Sequence, residues 1–161
     1  MVRPVLEPAR ITSPYGYRTH PVTGQKGTFH YGIDYVTAAD SGGDWSGDRS
    51  TIAMATGIVS YITTDYDHEL RHTADHAAGK IIIIESLINK EVYRIRYLHL
   101  DTILVPLGYR AREGERIGIY GETGRVTGAH IHVDVYDAHW NRIDPRPFFI
   151  AGFTKTGLAI L

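Results

Sequence analysis

Apolar and polar residues alternate over short runs in this chain, and glycine, proline, aspartate and serine separate the runs. A period of two is typical of half-buried β-strands, and no segment shows the longer period of an amphipathic helix. One turn of helix is expected over Asp101–Leu107, ended by Pro106 and Gly108. The pattern predicts six strands: His30–Val36, Ile52–Thr63 with a break near Gly57, Lys80–Ser86, Val92–Leu100, Arg116–Tyr120 and Ala129–Tyr136.

Polar or glycine-rich segments between these strands are predicted to be loops. They are Thr19–Thr28, Ala39–Ser50 and Thr64–Gly79. With 161 residues the chain can form one domain with a substantial core, and it contains no internal repeat or linker. We therefore expect a single mainly β domain over residues 1–161. Its core would span about 11–149, and 150–161 would form a tail, in which Gly152–Leu161 carries no chemical motif.

Charge and composition argue against two classes of binding partner. The formal net charge is −1, the pI is near 6.7 and there is no polybasic run, which argues against nucleic acid or a membrane as partner. The N-terminal residues lack the apolar stretch of a secretory signal peptide. The absence of cysteine excludes disulfides and thiolate metal ligands. We expect an excised mature domain, a cytoplasmic protein, or a protein released without a signal peptide.

Nine histidines are more than the length would suggest, and one group pairs a histidine with a carboxylate. His30 and Asp34 are four residues apart, so both side chains would lie on the same face of one strand. An imidazole and a carboxylate on one face can share a metal ion. Taken alone, the same spacing is more often an ordinary surface pair.

A second group lies in the cleanly alternating segment Ala129–Tyr136. Two imidazoles beside a carboxylate on one strand face indicate either a solvated surface or metal binding. The spacing does not decide whether His130 or His132 would be the ligand. The two faces are predicted to be Ile131, Val133 and Val135 on one side and His130, His132, Asp134 and Tyr136 on the other.

His99 ends a strand-like run and is predicted to share a face with Tyr93, Ile95 and Tyr97. A lone histidine at such a position is usually a core or rim residue. A catalytic zinc site, however, typically has three protein ligands and an open position for water, whose pKa falls towards about 7. Further imidazoles beside such a site could transfer protons and stabilise an oxyanion. The three groups together could supply these parts.

A competing metal hypothesis comes from His68, His72 and His76, which recur every four residues and would form one stripe on a helix. No apolar stripe supports a helix in this segment. We therefore expect a solvated loop there rather than a second metal site.

Several segments resemble, in their order and spacing, the lysostaphin/LytM-type zinc endopeptidases, which hydrolyse peptidoglycan peptides. Asp144-Pro145 and Pro147 fit the usual ending of that family, and the resemblance runs from about Ile11 to Phe149. The matching segments are ITSPYGYRTHPVTG (Ile11–Gly24), HYGIDY (His30–Tyr35), ATGIVSYI (Ala55–Ile62), YLHL (Tyr97–Leu100), GERIGIYGETG (Gly114–Gly124) and TGAHIHVDVY (Thr127–Tyr136).

The resemblance implies roles that spacing leaves open. His30, Asp34 and His132 would bind one Zn²⁺ per chain, and His99 and His130 would be the catalytic pair. Which of the two is the base and which stabilises the oxyanion is not decided by sequence. The implied fold is a mainly antiparallel β domain of the duplicated-hybrid-motif type, with a substrate groove walled by loops.

The implied activity is zinc-dependent endopeptidase cleavage of peptidoglycan stems or cross-bridges. The protein would act outside the cell, in the cell wall or on a phage particle, and we expect a monomer. One alternative is a catalytically silent cell-wall-binding or scaffold module on the same fold. Another is a zinc D,D-carboxypeptidase or amidase. The presence of all five site residues favours an enzyme over a silent module.

The chain also departs from the family pattern. Asp134 stands where the family often has glutamate, and it could orient a histidine or be a surface carboxylate. Arg18 and His20 could border the groove or be structural. The loops Ala39–Ser50 and Thr64–Gly79 are longer than usual, which leaves the shape of the groove open.

Overall fold

A computed structural model describes residues 1–20, 23–37 and 48–150 of the chain. The regular elements in these ranges are almost all strands, which confirms the mainly β class predicted from the sequence. They are β1 (Ala9–Ser13), β2 (Gly16–Arg18), β3 (Thr28–His30), β4 (Ile33–Thr37), β5 (Ser50–Ile52), β6 (Gly57–Ile62), β7 (Lys80–Ile88), β8 (Glu91–Ile103), β9 (Arg110–Ala111), β10 (Arg116–Tyr120), β11 (Ile131–Tyr136), β12 (Arg142–Ile143) and the short helix α1 (Arg146–Ile150).

Ten of these strands form one antiparallel sheet, and β2 pairs with β3 in a separate hairpin. The main path of the sheet is β1-β4-β11-β8-β7-β6-β9; β10 also pairs with β8 and β5, and β12 pairs with β11. Because β11 lies between β4 and β8, His132 is the register partner of Asp34 on one side and of Leu98 on the other. The topology therefore places residues that are far apart in sequence in one row across the sheet.

One face of this sheet packs into the hydrophobic core. The alternation predicted for β11 is confirmed, because Ile131 and Val133 are fully buried in that core while His132 lies on the other face. β7 and β8 contribute in the same way, with Ile82, Ile84 and Ile95 completely buried. Burying each such side chain stabilises the fold by about 1.5–3 kcal/mol, so the core fixes the register of the strands that carry the polar face.

β8 changes its pairing partner along its length. Its middle pairs with β11 and its last residues pair with β10, and at the changeover β8 contains one residue more than β7 opposite it. His99 lies in this bulge with a φ of 66°, in the left-handed region. As a result Tyr97 and Leu100 both reach the core, whereas Leu98 and His99 line the opposite face. The prediction that His99 shares a face with Tyr97 is therefore wrong.

Other predicted boundaries also shift. The predicted strand His30–Val36 is interrupted at Tyr31 and Gly32, which separate β3 from β4. The break in Ile52–Thr63 falls between β5 and β6, just before Gly57. The helical turn predicted over Asp101–Leu107 is wrong, because pairing with β10 extends β8 to Ile103.

The predicted loops fall partly within the described residues. Thr64–Gly79 forms turns rather than a helix, and His68, His72 and His76 form no metal-binding group among the described residues. Of Ala39–Ser50 only the last three residues are described, and Gly152–Leu161 lies outside the described residues. Within the described ranges, no helix is both long and apolar enough to cross a membrane.

Candidate active site

The side chains of His30, Asp34 and His132 meet on the polar face of the sheet. Asp34 and His132 are brought together by the pairing of β4 with β11, and His30 arrives from β3, beyond the break at Tyr31 and Gly32. His132 Nδ1 lies 2.8 Å from Asp34 Oδ1, and His30 Nε2 lies 3.0 Å from His132 Nδ1 and 3.3 Å from Asp34 Oδ1. In the described part of the chain this is the only group of His, Cys, Asp or Glu side chains placed to hold a metal ion.

The spacing of these three atoms suits a single zinc ion. Ligand atoms that each lie about 2.0 Å from a tetrahedral zinc are separated by about 3.3 Å, close to the distances seen here. His30 Nδ1 lies 2.9 Å from the carbonyl oxygen of Pro14. Because a carbonyl only accepts, Nδ1 carries the ring proton, and the lone pair of Nε2 is left for a metal.

Asp34 is held in its ionised form. Burial opposes its charge, but hydrogen bonds with His132 and His30 outweigh burial and hold the pKa of the carboxyl well below its usual range. Arg18 Nη1 lies 3.5 Å from Asp34 Oδ2 and donates a 2.6 Å hydrogen bond to Ser13 Oγ. One carboxylate oxygen thus faces the imidazoles and the other faces a guanidinium.

His132 is held by its neighbours on both sides of the ring. Burial opposes its charged form, yet the neighbouring carboxylates of Asp134 and Asp34 raise the pKa of His132 to about 9 in the chain without metal. The ring packs directly over Gly32, where an added Cβ would lie 2.4 Å from Nε2 and 2.5 Å from Cε1. A side chain at position 32 would therefore displace the ring.

His99 and His130 lie next to this cluster, with ring centroids 4.9 Å apart. His99 Nδ1 donates to the carbonyl of Thr123 over 2.9 Å, and His130 Nδ1 donates to the carbonyl of Gly128 over 2.8 Å. Both rings therefore keep a lone pair on Nε2. Burial lowers the pKa of His99 to about 3 and also lowers the pKa of His130, so both are neutral at pH 7.

Asp134 is buried rather than exposed, so its interpretation as a surface carboxylate is wrong. Arg96 donates two hydrogen bonds to it, at 2.8 and 2.6 Å, and Asp134 Oδ2 lies 3.8 Å from His132 Nε2. Sequence reasoning missed Arg96, whose partnership with Asp134 follows from the pairing of β8 with β11. That Asp134 orients His132 stays a prediction.

A groove of about 730 Å³ runs over these side chains. Arg18 and His20 line this groove, so of the two alternatives left open by the sequence, a place at the border of the groove is the one observed. Burial, followed by the positive charges of Arg18 and Arg125, lowers the pKa of His20. The β2–β3 hairpin and the segment that follows it therefore form one side of the groove.

The Thr64–Gly79 loop forms another wall and supports the His99 side of the site. The carbonyl of Ala78 accepts a 3.1 Å hydrogen bond from the His99 amide, and the carbonyl of Ala77 accepts a 2.9 Å bond from the Arg125 amide. Tyr66 Oη accepts a 2.7 Å bond from the amide of Gly124. The long loop is thus part of the site.

An antiparallel sheet with such a cluster in its groove is the architecture of a metallopeptidase domain. Residues 28–145 match Peptidase family M23, and the chain belongs to this family. It is 35% identical over 127 residues to the peptidoglycan DD-endopeptidase ShyB of Vibrio cholerae, covering 78% of this chain and 25% of ShyB. It is 33% identical over 142 residues to the DD-carboxypeptidase/endopeptidase Mpg of Neisseria meningitidis, covering 88% of this chain and 27% of Mpg.

Solved structures agree on the fold. A zinc-containing peptidase from Vibrio cholerae matches with a TM-score of 0.65 and 31% identity, over 88% of this chain and 37% of that chain. The catalytic domain of lysostaphin from Staphylococcus simulans matches with a TM-score of 0.61 and 22% identity, over 86% of this chain and 90% of that domain. The chain spans about a quarter of the length of the curated relatives that it matches.

Proposed function

We propose that this chain is a zinc-dependent endopeptidase that hydrolyses peptide bonds in the stems or cross-bridges of bacterial peptidoglycan. The observation that carries the proposal is the convergence of three zinc-type ligand atoms beside two neutral imidazoles in one groove. Membership of family M23 and the peptidoglycan-acting relatives support the substrate class. The protein would act where the cell wall is.

His30 Nε2, Asp34 Oδ1 and His132 Nδ1 would hold one zinc ion per chain. When bound, zinc supplies Lewis-acid polarisation of the scissile carbonyl and makes a water molecule more acidic. His99 and His130 are neutral, with a lone pair on Nε2, so either can accept the proton that the attacking water loses. The resulting imidazolium can then stabilise the oxyanion or return the proton to the leaving amine. The two histidines share these roles in the proposal.

The experiment that tests the activity is digestion of purified peptidoglycan, with mass spectrometry of the fragments. We expect new amino and carboxyl groups and no new reducing sugar ends. Glycoside cleavage usually requires two carboxylates that flank the sugar, and Asp34 is committed to the imidazole cluster while Asp134 is bound to Arg96. A strong chelator should stop release of amines, and added zinc should restore it. Release of reducing ends in chelator, without free amines, would overturn the proposal.

The division of roles is tested by alanine variants. Replacing His30, Asp34 or His132 should abolish tight zinc binding, because each removes one of three ligands. His99→Ala and His130→Ala should keep one equivalent of zinc and lose activity by about two to four orders of magnitude. Elemental analysis and hydrolysis rates measure both. Full zinc in the three ligand variants would contradict the ligand set.

A zinc D,D-carboxypeptidase is the second candidate, because the relative Mpg carries both activities in its name. The two activities differ in their products. Carboxypeptidase action releases a single terminal amino acid, whereas endopeptidase action separates two cross-linked stems. The same mass-spectrometric experiment distinguishes them.

A further inference from the structure

The groove is strongly cationic. Among the described residues that line it, five are arginines and only two are acidic, Asp34 and Asp134. A cleft lined by one sign of charge raises the local concentration of ligands of the other sign. The arginines are Arg10, Arg18, Arg96, Arg125 and Arg142.

Three of these arginines are paired with the buried aspartates, and Arg18 and Arg96 lie closest to them. Arg18 lies beside Asp34 and also hydrogen bonds Ser13. Arg96 holds Asp134 with two hydrogen bonds. Both act inside the site, where they balance the charge of a carboxylate.

Arg142 and Arg10 are also engaged within the chain. Arg142 donates a 2.8 Å hydrogen bond to Tyr136 Oη, lies 3.6 Å from Asp134 Oδ2 and lies over the ring of Tyr31, 5.1 Å from its centroid. Arg10 also has an interaction within the chain. Arg125 differs: it is exposed to the groove, and its guanidinium makes no hydrogen bond or ion pair with any residue in the described ranges.

The backbone that carries Arg125 is fixed. Its amide donates to Ala77, and the preceding Gly124, at a φ of 85°, bonds Tyr66. A Cβ on Gly124 would lie 2.4 Å from the carbonyl oxygen of Ala77, which shows how closely the turn is packed. Two residues before Arg125, the carbonyl of Thr123 holds His99. The Arg125 guanidinium, which has no hydrogen-bond or ion-pair partner among the described residues, therefore extends from the same hydrogen-bonded turn that positions an imidazole of the site.

We infer that Arg125 binds a carboxylate group of the substrate peptide and so selects peptides that carry a free carboxylate near the scissile bond. This inference rests on the proposed endopeptidase function and names the chemistry of its substrate. A planar guanidinium matches a carboxylate with two parallel hydrogen bonds, and a fixed backbone reduces the cost of holding that geometry. Stem peptides of peptidoglycan carry such carboxylates, and these can also be capped as amides.

The test compares two defined substrates with the zinc-loaded chain: a cross-linked stem-peptide dimer with free carboxylates, and the same dimer with those groups converted to carboxamides. We expect wild type to prefer the carboxylate dimer by about 10- to 100-fold in kcat/KM, mainly through KM, the usual scale for a charge-assisted hydrogen bond. Arg125→Gln should bring the ratio close to one by losing activity on the carboxylate dimer alone. Arg125→Lys should keep part of the preference, because it keeps the charge without the planar fork.

Arg112→Gln is the matched control, since Arg112 is exposed and does not line the groove. It should keep the full preference of wild type, and all variants should keep one equivalent of zinc. Equal cleavage of both dimers by wild type, or an unchanged preference in Arg125→Gln, overturns the role of Arg125 while leaving the proposed function intact. Cleavage of neither dimer by wild type overturns the proposed function and the inference with it.

Discussion

Three of the four histidines at the site donate Nδ1–H to a main-chain carbonyl: His30, His99 and His130. Main-chain acceptors fix both the tautomer and the direction of each ring, because a carbonyl does not change protonation state. His132 is the exception, since its Nδ1 faces the carboxylate of Asp34. It is therefore the one ring whose proton competes directly with a metal.

This difference predicts how zinc affinity depends on pH. With a pKa of about 9, His132 is protonated at neutral pH in the chain without metal. Zinc must displace that proton, so the apparent affinity should rise about tenfold per pH unit up to about pH 9 and then level off. Isothermal titration calorimetry at pH 7.5, in two buffers of different ionisation enthalpy, measures the protons released. His132 should release one proton per zinc, in addition to any that a zinc-bound water loses, so a total below one proton per zinc would contradict the raised pKa.

Gly32 also affects the position of a single ligand, because the His132 ring packs directly against its backbone. Gly32→Ala should weaken zinc binding at least about tenfold by pushing the ring away from Asp34, a loss in the range seen when the support of a metal ligand is removed. Gly57→Ala is the control, since its Cβ would be equally crowded, 2.4 Å from the carbonyl of Glu85, outside the groove.

Both glycine variants should lower the free energy of unfolding by about 1–3 kcal/mol because both overpack the interior. Urea denaturation of the chain without zinc measures that loss, and zinc titration measures affinity. If the two variants bound zinc equally well, the proposed support of His132 by Gly32 would be refuted.

At the scale of the element, β11 shows what the sequence can predict and β8 shows what it cannot. An alternating strand with one apolar face admits one register, so the facing of Ile131, His132 and Val133 follows from the pattern alone. In β8 one extra residue reverses the face of His99, and the residues around it carry no mark of the bulge. The bulge arises from the change of pairing partner, which is a property of the whole sheet.

The cluster of His30 and Asp34 was predicted for a partly wrong reason. Periodicity alone places both residues on one continuous strand, whereas the chain breaks at Tyr31–Gly32 and brings them together from two strands. Arg96 and Arg125 were not singled out, because their roles depend on strand pairing and on a loop contact between distant residues. Local periodicity therefore predicted the fold class and the polar face, and tertiary pairing decided the remaining contacts.

The left-handed backbone of His99 predicts a difference between two variants. His99→Gly and His99→Ala remove the same ring and the same hydrogen bond to Thr123, and both should be nearly inactive. Glycine adopts a φ of 66° without the steric cost that alanine bears, so His99→Gly should be the more stable variant by about 1 kcal/mol. Urea denaturation of both variants measures this. Equal stability would show that the bulge does not persist without the imidazole.

At the scale of the whole molecule, two buried imidazoles make the free energy of unfolding depend on pH in opposite directions. His99 has a folded pKa of about 3, below its unfolded value near 6.5, so its contribution is present above pH 6.5 and is lost as the pH falls towards 3. His132 has a folded pKa of about 9, so its contribution is present below pH 6.5 and is lost as the pH rises through 9. The chain without zinc should therefore be most stable near pH 6.5.

Urea denaturation between pH 4 and pH 9.5, with chelator and with zinc, measures this profile. With chelator we expect the free energy of unfolding to fall on both sides of pH 6.5. With zinc the alkaline loss should shrink, because the metal replaces the His132 proton and binds the folded chain more tightly as the pH rises. A profile in chelator that rises steadily through pH 9 would contradict the raised pKa of His132.

In the Thr64–Gly79 loop, main-chain atoms anchor the site and side chains line the groove. The loop holds His99 and Arg125 through the carbonyl oxygens of Ala78 and Ala77, while Ala74, Ala77 and Ala78 line the groove with the smallest side chains that keep a Cβ. Anchoring by the main chain does not depend on which side chain is attached. Substitutions confined to positions 74, 77 and 78 should therefore change the shape of the groove and the peptides that fit it. The positions of His99 and Arg125 should stay the same, because main-chain carbonyls hold them.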